Sequence, residues 1–510
     1  MEEENTQKGF SSRWGVIATL IGLAIGTGNI WRFPRQAAAN GGGAFIIAWT
    51  VMLLIVAIPL AIAEMAIGRA TRRGCPGAFK DMLGKKYTWM GCFMALTVAG
   101  IASYYTVTMA WVLRYLILAL TGELFGGDKE VLWHTVSEGS PLTVACFFIC
   151  LFVTWYITRG GISGSIEHFM EKCIPMLFLL LAVVAGRAML LGKATPEAAG
   201  VAAGLDFLFR VEPEYLFNGV TWIQALMQIL WSVGVGWGLV LTYGVFTQCK
   251  SDVALNGFIQ GFGNNMASLL AGVAVIPTLF AFYSKERALE ICASGNNGLT
   301  FISLANIFDS MVGGRVIAVL FFFALVLAAL SSNLGHFMVT SLPFEDYGWS
   351  KRKANLFMML VVGIWGLPSS LTTKIHGNQD FVSTYALMIG ILFTCFLVWK
   401  VGSEKFRKNF INIPENDLDV GIWWDICVKY IAPTVVVILI GWMLSPMGYG
   451  YIGAENMWSF FEVESFCTLV VQLGIYVLIS QFLAHKVNTS KRQKSYYNGM
   501  TFPEIPEEYE

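Results

Sequence analysis

Residues Gly22-Leu-Ala-Ile-Gly-Thr-Gly-Asn29 interrupt an apolar run, 14–38, that is otherwise long enough to cross a bilayer as a helix. Glycine inside a helix costs about 1 kcal/mol relative to alanine, so three in seven positions argue for a break. A later run, 218–246, carries Trp231-Ser-Val-Gly-Val-Gly-Trp-Gly238 in the same relative place. Either segment alone would also fit tight helix–helix packing through small residues. Five helical runs separate the start of one from the start of the other. That spacing predicts two inverted repeats of five helices, each opening with a broken helix.

Composition supports a membrane setting. Of 510 residues, 56% are hydrophobic and 13% charged, about half the charged fraction of soluble domains. The mean hydropathy is +0.61. A spanning helix takes about 20 apolar residues, so 56% of 510 supplies about a dozen. Runs of spanning length fall at 14–38, 44–70, 88–121, 141–158, 168–191, 218–246, 254–283, 313–345, 354–372, 378–401, 425–446 and 459–485. In lipid each must satisfy its own backbone, so each is read as a helix. The fold class is therefore an all-α polytopic membrane protein with twelve transmembrane helices, a 5+5 core with helices 1 and 6 broken, plus two added helices. The balance of 34 basic and 34 acidic residues argues against a nucleic-acid partner. The ten cysteines lie mostly in apolar runs and show no CxxC pair, which excludes a disulfide scaffold. The acidic start lacks the basic region of a signal peptide.

Basic residues set the orientation. Arg72, Arg73, Lys80, Lys85, Lys86, Lys250, Lys351, Arg352, Lys353, Lys405, Arg407 and Lys408 fall in one set of loops, and the C-terminal tail adds four more. Both termini are expected in the cytoplasm. The domain reading is a cytoplasmic segment 1–13, a first repeat 14–191, an extracellular loop 192–217, a second repeat 218–402, two further helices within 403–486 and a cytoplasmic tail 487–510. The loop 284–312 mixes Gly-Asn-Asn-Gly with apolar residues and is read as a short lid.

A break in mid-membrane frees N–H groups, which attract a carboxylate, and carbonyls, which attract a cation. Asn29 and Ser232 add side-chain oxygens beside the two breaks, and Ser331 and Ser332 lie together in the eighth run. Oxygen ligands without a carboxylate cluster suit a hard monovalent ion; the two serines could equally bond back to their own helix. Charges inside spans are rare and informative. Arg32 and Asp380 both fall near the outer face and fit a gate-like ion pair or interfacial snorkelling. Glu64 falls within the second run, and Glu345 and Asp346 end the eighth.

The stretch Gly26-Thr-Gly-Asn-Ile-Trp-Arg-Phe-Pro34, followed by Asn40-Gly-Gly-Gly-Ala-Phe45, resembles the opening signature of the neurotransmitter:sodium symporters. Ile58 to Arg69, Tyr104-Tyr105, Gln228 to Gly238, Asn264, Leu330 to Ser332 and Asp380-Phe381 extend the resemblance over about the first 400 residues. The resemblance is strongest to bacterial members such as the leucine transporter. It implies two sodium sites. The first would use Ala24, Asn29, Ser232 and Asn264, with Asn265 as the alternative to Asn264. The second would use Gly22, Ile25, Ala328, Ser331 and Ser332. Gly26 stands where animal monoamine carriers have Asp, which implies a substrate that brings its own carboxylate, an amino acid. That substrate would be held by Ala24, Gly26, Thr27, Gly28, Ile101, Tyr105, Trp231, Ser232, Gly234, Trp237, Ser332 and His336. His336 is either a pocket residue able to confer pH dependence or a neutral histidine bonded within the bundle.

Two departures from the family pattern matter. Ser268 stands where chloride-independent bacterial members carry Glu, which implies a chloride held by Trp49, Gln228, Ser232, Asn264 and Ser268. Trp49 replaces the Tyr of chloride-binding members, and its indole only donates. At the inner gate the family's N-terminal Arg and Trp become Gln7 and Phe10, leaving Lys8 as the nearest cation for Asp346. The reading is a sodium-coupled, alternating-access importer of a neutral apolar or aromatic amino acid, in a bacterial inner membrane, with no bond chemistry. A carrier of an osmolyte or amine, a sodium channel and a non-transporting amino-acid receptor remain as alternatives. The sequence leaves the oligomeric state open.

Overall fold

The computed structural model describes residues 9–489. It is helical, and among the described residues the only extended pairing is an isolated bridge between Gly42 and Val211. The first apolar run is two helices, α1 (Arg13–Ala24) and α2 (Thr27–Ala39), bent by 67° at the predicted break. Continuous spans follow: α3 (Gly43–Thr71), α4 (Thr88–Thr121), α5 (Pro141–Thr158) and α6 (Gly164–Met189). The sixth run is split into α7 (Gly219–Val233) and α8 (Leu239–Phe246). Then come α9 (Val253–Phe282), the lid helices α10 (Lys285–Ala293) and α11 (Leu304–Ser310), and α12 (Gly314–Glu345). The chain ends in α13 (Lys351–Leu371), α14 (Thr373–Val401), α15 (Ile422–Leu444) and α16 (Phe466–Thr489). Among the described residues ten helices are long and apolar enough to span without interruption, and the bent α1–α2 pair makes an eleventh. The α7–α8 segment has halves too short to span singly, and the ten or eleven spans are consistent with the twelve expected runs.

α4 and α12 are the central pillars, with α1, α6 and α14 packed around them and α9 packed in turn on α1 and α6. Their small side chains permit close approach: in α4 a Cβ on Gly91 would sit 2.2 Å from the Cys75 carbonyl oxygen. Both described ends lie at one face. Phe10 N–H donates to the Phe246 carbonyl, Arg72 reaches the Val245 and Thr247 carbonyls, and Lys80 Nζ donates to the Val487 carbonyl. The lid occupies the opposite face. Lys129 Nζ meets Asp309 at 2.9 Å there, and this contact and the Gly126 N–H hold the Asp309 carboxyl below its usual range.

Candidate functional site

The first break is built by diverted hydrogen bonds. α1 stops at Ala24 because Ile25 is extended, with φ −84° and ψ 105°. The Gly26 N–H, which would have served the Gly22 carbonyl, donates to Asn29 Oδ1 at 2.9 Å. The Thr27 N–H, which would have served Leu23, donates to Tyr105 Oη at 3.2 Å. The C-terminal carbonyls of α1 are thereby freed. Gly26 is needed for closeness rather than for its dihedral: a Cβ there would lie 2.9 Å from Ser332 Oγ and 3.0 Å from Tyr105 Oη.

The second break depends on left-handed backbone. Gly234, Gly236 and Gly238 all have positive φ. At Gly236 a Cβ would lie 2.1 Å from Ile391, and at Gly238 2.0 Å from Cys75 Sγ, so both φ and space require glycine. The buried Glu64 carboxylate pins this break. It accepts from Gly236 N–H at 2.6 Å, Leu241 N–H at 3.4 Å and Thr394 Oγ1 at 3.4 Å. The sequence marked Glu64 as an unusual intramembrane charge without this role; its partners lie 172 and 330 residues away.

Beside the breaks, the side chains of Asn29, Asn264, Ser232 and Ser268 form one buried network. Asn29 Nδ2 donates to Asn264 Oδ1 at 2.7 Å and to Ser268 Oγ at 2.8 Å. Asn264 Nδ2 donates to Ser232 Oγ at 3.1 Å. In that orientation Asn264 Oδ1 faces the Ala24 and Ser232 carbonyls at 3.1 and 3.2 Å. With the amide nitrogen in that place, Asn264 donates to both carbonyls. Asn264, rather than Asn265, faces this cluster; Asn265 lines a groove on the outer wall between α3 and α9. The second set also meets. Ser331 Oγ donates to the Ile25 and Ala328 carbonyls at 3.2 and 3.0 Å, and Ser332 Oγ to Ile25 at 3.2 Å. Only Ser331 bonds back to its own helix, so the two hydroxyls bridge α12 to the end of α1. Gly22 lies one turn before, packed on Met170 and Ile174.

A cavity of about 310 Å³ starts between the breaks and rises toward the lid. All twelve residues expected to hold the substrate line it. Tyr105, Trp231, Trp237 and His336 form an aromatic box: Trp237 stacks on His336 at 5.7 Å, while Tyr105 meets His336 edge-on at 5.1 Å and Trp231 meets Trp237 edge-on at 5.3 Å. His336 is therefore a pocket residue. Its Nδ1 and the indole nitrogens of Trp231 and Trp237 have no hydrogen-bond partner among the described residues. Higher up, Asn296 and Asn297 of the lid and Thr373 and His376 of α14 complete the wall; no local signal marked the α14 residues.

Neither expected gate pair is seen: the outer one is not formed, and one member of the inner one lies outside the described residues. Arg32 and Asp380 share the cavity wall but do not touch. The Arg32 guanidinium lies over Trp231, 5.9 Å from the ring, and Asp380 accepts from Tyr104 Oη at 2.9 Å. The expected outer ion pair is thus not formed, because each charge has another neighbour. At the other face Lys8 lies outside the described residues. Asp346 instead meets Arg73 at 3.7 Å and accepts from the Gly74 N–H at 3.0 Å, all buried. Phe10, also buried, stacks on Tyr243 of α8 at 6.5 Å. The expected chloride set is only partly assembled. Ser232, Asn264 and Ser268 belong to the network above, and Gln228 donates to the Gly28 carbonyl at 3.5 Å. Trp49 packs on Phe33 at 4.6 Å, its indole nitrogen without a partner.

Comparison with known proteins agrees with this geometry. A family model described as the sodium:neurotransmitter symporter family matches residues 7–138 and 137–490. An uncharacterized sodium-dependent transporter of Methanocaldococcus jannaschii is 30% identical over 473 residues, covering 88% of this chain and 93% of that protein. The sodium-dependent serotonin transporter of Drosophila melanogaster is 24% identical, covering 96% and 85%. The crystal structure of MhsT in complex with L-phenylalanine is similar with a TM-score of 0.73 and 26% identity, covering 85% of this chain and 99% of that one.

Proposed function

The chain belongs to the sodium:neurotransmitter symporter family, whose members are transporters rather than enzymes, and from that premise we propose that it imports a neutral apolar or aromatic amino acid with sodium. One observation carries the substrate class. Gly26 brings no charge of its own and sits close to Tyr105 Oη and Ser332 Oγ, while the N-terminal end of α2 favours an anion. The substrate therefore brings the carboxylate, and a net-neutral amino acid does so. MhsT, similar in fold and sequence, is described with L-phenylalanine. The aromatic box offers a comparable side chain two indole faces, a phenol and an imidazole.

Sodium is a co-substrate at two sites, Ala24, Asn29, Ser232 and Asn264 for one, and Gly22, Ile25, Ala328, Ser331 and Ser332 for the other. The converging carbonyl and hydroxyl oxygens support this choice. The substrate carboxylate completes the first site, so sodium and amino acid bind cooperatively. Each sodium carried inward across 100 mV releases about 2.3 kcal/mol, enough for two ions to drive accumulation. The cavity opens on the face away from both termini and is closed at the other by Phe10, Tyr243, Arg73 and Asp346. With the termini in the cytoplasm of a bacterial cell, this is the loading conformation. Closure brings Arg32 toward Asp380 over Trp231. The second repeat, 218–402, then moves against the first, 14–191. Chloride near Gln228, Ser232, Asn264 and Ser268, with Trp49 as a further donor, would offset one of the two cationic charges.

The test is uptake of labelled leucine, alanine, methionine, phenylalanine, tyrosine and tryptophan into proteoliposomes, under an inward Na⁺ or K⁺ gradient and in chloride or gluconate. Sodium-driven uptake of one or more is expected. No sodium-driven uptake of any would refute the substrate class, and equal uptake in gluconate would refute the anion. Counterflow of an accumulated amino acid separates a carrier from a receptor or a channel.

A further inference from the structure

Where α5, α6 and α12 meet, the outer wall carries a second groove of about 480 Å³, remote from the transport cavity. Its walls are apolar, formed by Ile157, Phe169, Met176, Phe323 and Leu327. Met176 and Phe323 are 45% and 37% exposed, so the groove faces lipid tails. Its end toward the termini is basic. His168 and Lys172 line it one turn apart on one face of α6, both exposed. Arg159 lies beside it, its guanidinium 3.9 Å from the ring centre of Tyr156, another wall residue. Lys351 Nζ reaches the adjoining turn, 3.4 Å from where a Cβ on Gly161 would be.

The charge of Lys172 needs an explanation. It lies about 12 Å along α6 from Gly164 by helix rise, on a lipid-facing wall. Neither Lys172, His168 nor Arg159 meets a carboxylate among the described residues. The acids of the same helix are turned elsewhere: Glu167 accepts from Ser11 and Ser12, and Glu171 from Ser12 Oγ. A lysine side chain on a helix points toward the helix N-terminus, which directs Lys172 past His168 to the basic end. An ionised side chain at membrane depth is costly and calls for a partner. We propose that this groove is a binding site for an anionic phospholipid of the leaflet on the termini side. Its phosphate lies between Lys172, His168 and Arg159, and an acyl chain lies along Phe169, Met176 and Phe323. Apolar walls under an unpaired basic end match an anionic lipid, not a free anion, which would leave the walls unfilled, nor a zwitterionic lipid, which would bring a cation to a basic site.

The test is native mass spectrometry of the full-length protein extracted from vesicles of phosphatidylglycerol and phosphatidylcholine in equal amounts. The wild type is expected to retain phosphatidylglycerol preferentially, and millimolar inorganic phosphate is expected not to displace it. Arg159→Gln and Lys172→Gln should each reduce the preference roughly fivefold, the effect of one cation at a membrane surface, while Lys172→Arg should preserve it. Equal retention of both lipids by the wild type would overturn the proposal whatever the variants do. So would undiminished preference in the Arg159→Gln, Lys172→Gln double variant.

Discussion

Gly26→Asp tests the assignment of the substrate carboxylate. The new carboxylate would enter the wall between Tyr105 Oη and Ser332 Oγ, where even a Cβ lies at 3.0 and 2.9 Å. It would face the substrate carboxylate at the end of α2. Two like charges about 4 Å apart repel by about 4 kcal/mol at an effective dielectric of 20. Since 1.4 kcal/mol is tenfold, the affinity for a bound amino acid should fall by roughly 1,000-fold. An amine of the same side chain, lacking the carboxylate, escapes that repulsion. The crowding affects both ligands, and Gly26→Ala measures it separately. The assay is sodium-dependent binding of phenylalanine and of phenethylamine to the purified carrier, with leucine and isoamylamine as a second pair. The ratio of amino-acid to amine affinity should fall by two to three decades in Gly26→Asp and stay near the wild-type value in Gly26→Ala. If Gly26→Asp keeps its amino-acid affinity within a few-fold, the carboxylate lies elsewhere and the reasoning fails.

Other substitutions separate the remaining parts. Ser331 is buried away from the cavity wall, so Ser331→Ala should raise the sodium concentration for half-maximal uptake about 10- to 100-fold, from the 1.5–3 kcal/mol of a charged polar contact, and leave amino-acid affinity at saturating sodium unchanged. An unshifted sodium curve would remove Ser331 from the ion site. Glu64→Gln keeps one acceptor oxygen and turns an amide N–H₂ toward the other of the Gly236 and Leu241 N–H groups that Glu64 accepts from. It should destabilise the protein by about 1–3 kcal/mol, read as a lower melting temperature in detergent, and an unchanged melting temperature would refute the pinning role. Asp346→Ala removes the partner facing Arg73. It should speed maleimide labelling of the buried native Cys75 from the termini side, with Arg73→Ala giving the same increase and Lys8→Ala a smaller one; labelling at the wild-type rate would place the seal elsewhere.

Much of this architecture is legible in the chain because its main signals are local. The two breaks announce themselves as glycine clusters in otherwise apolar runs, and lipid forces each apolar run to be a helix. Asn29 and Ser232 flank the breaks in sequence, whereas Asn264, Ala328 and the carbonyls of Gly22, Ala24 and Ile25 are expected only from the family resemblance. What is not legible depends on contacts between distant positions. Glu64 is visible as a charge, but its purpose rests on the Gly236 N–H across the bundle. Asp346 sits far in sequence from Arg73, and a search along the N-terminal segment for its partner finds Lys8 instead. Arg32 and Asp380 each look like half of an ion pair, yet Trp231 and Tyr104 take them in this conformation. His336 illustrates the same limit: whether it bonds inward or faces the cavity depends on Trp237 and Tyr105, which only the fold brings to its two sides.

The position of the Asn264 amide, between the Ala24 and Ser232 carbonyls, bears on the first ion site. Ala24 and Ser232 are both proposed ligands of the first sodium ion. With its nitrogen toward those two carbonyls the amide donates to both. Under the proposed function a sodium ion in the same place would take the amide oxygen instead, so Asn264 would be the part of the first ion site whose orientation distinguishes empty from filled.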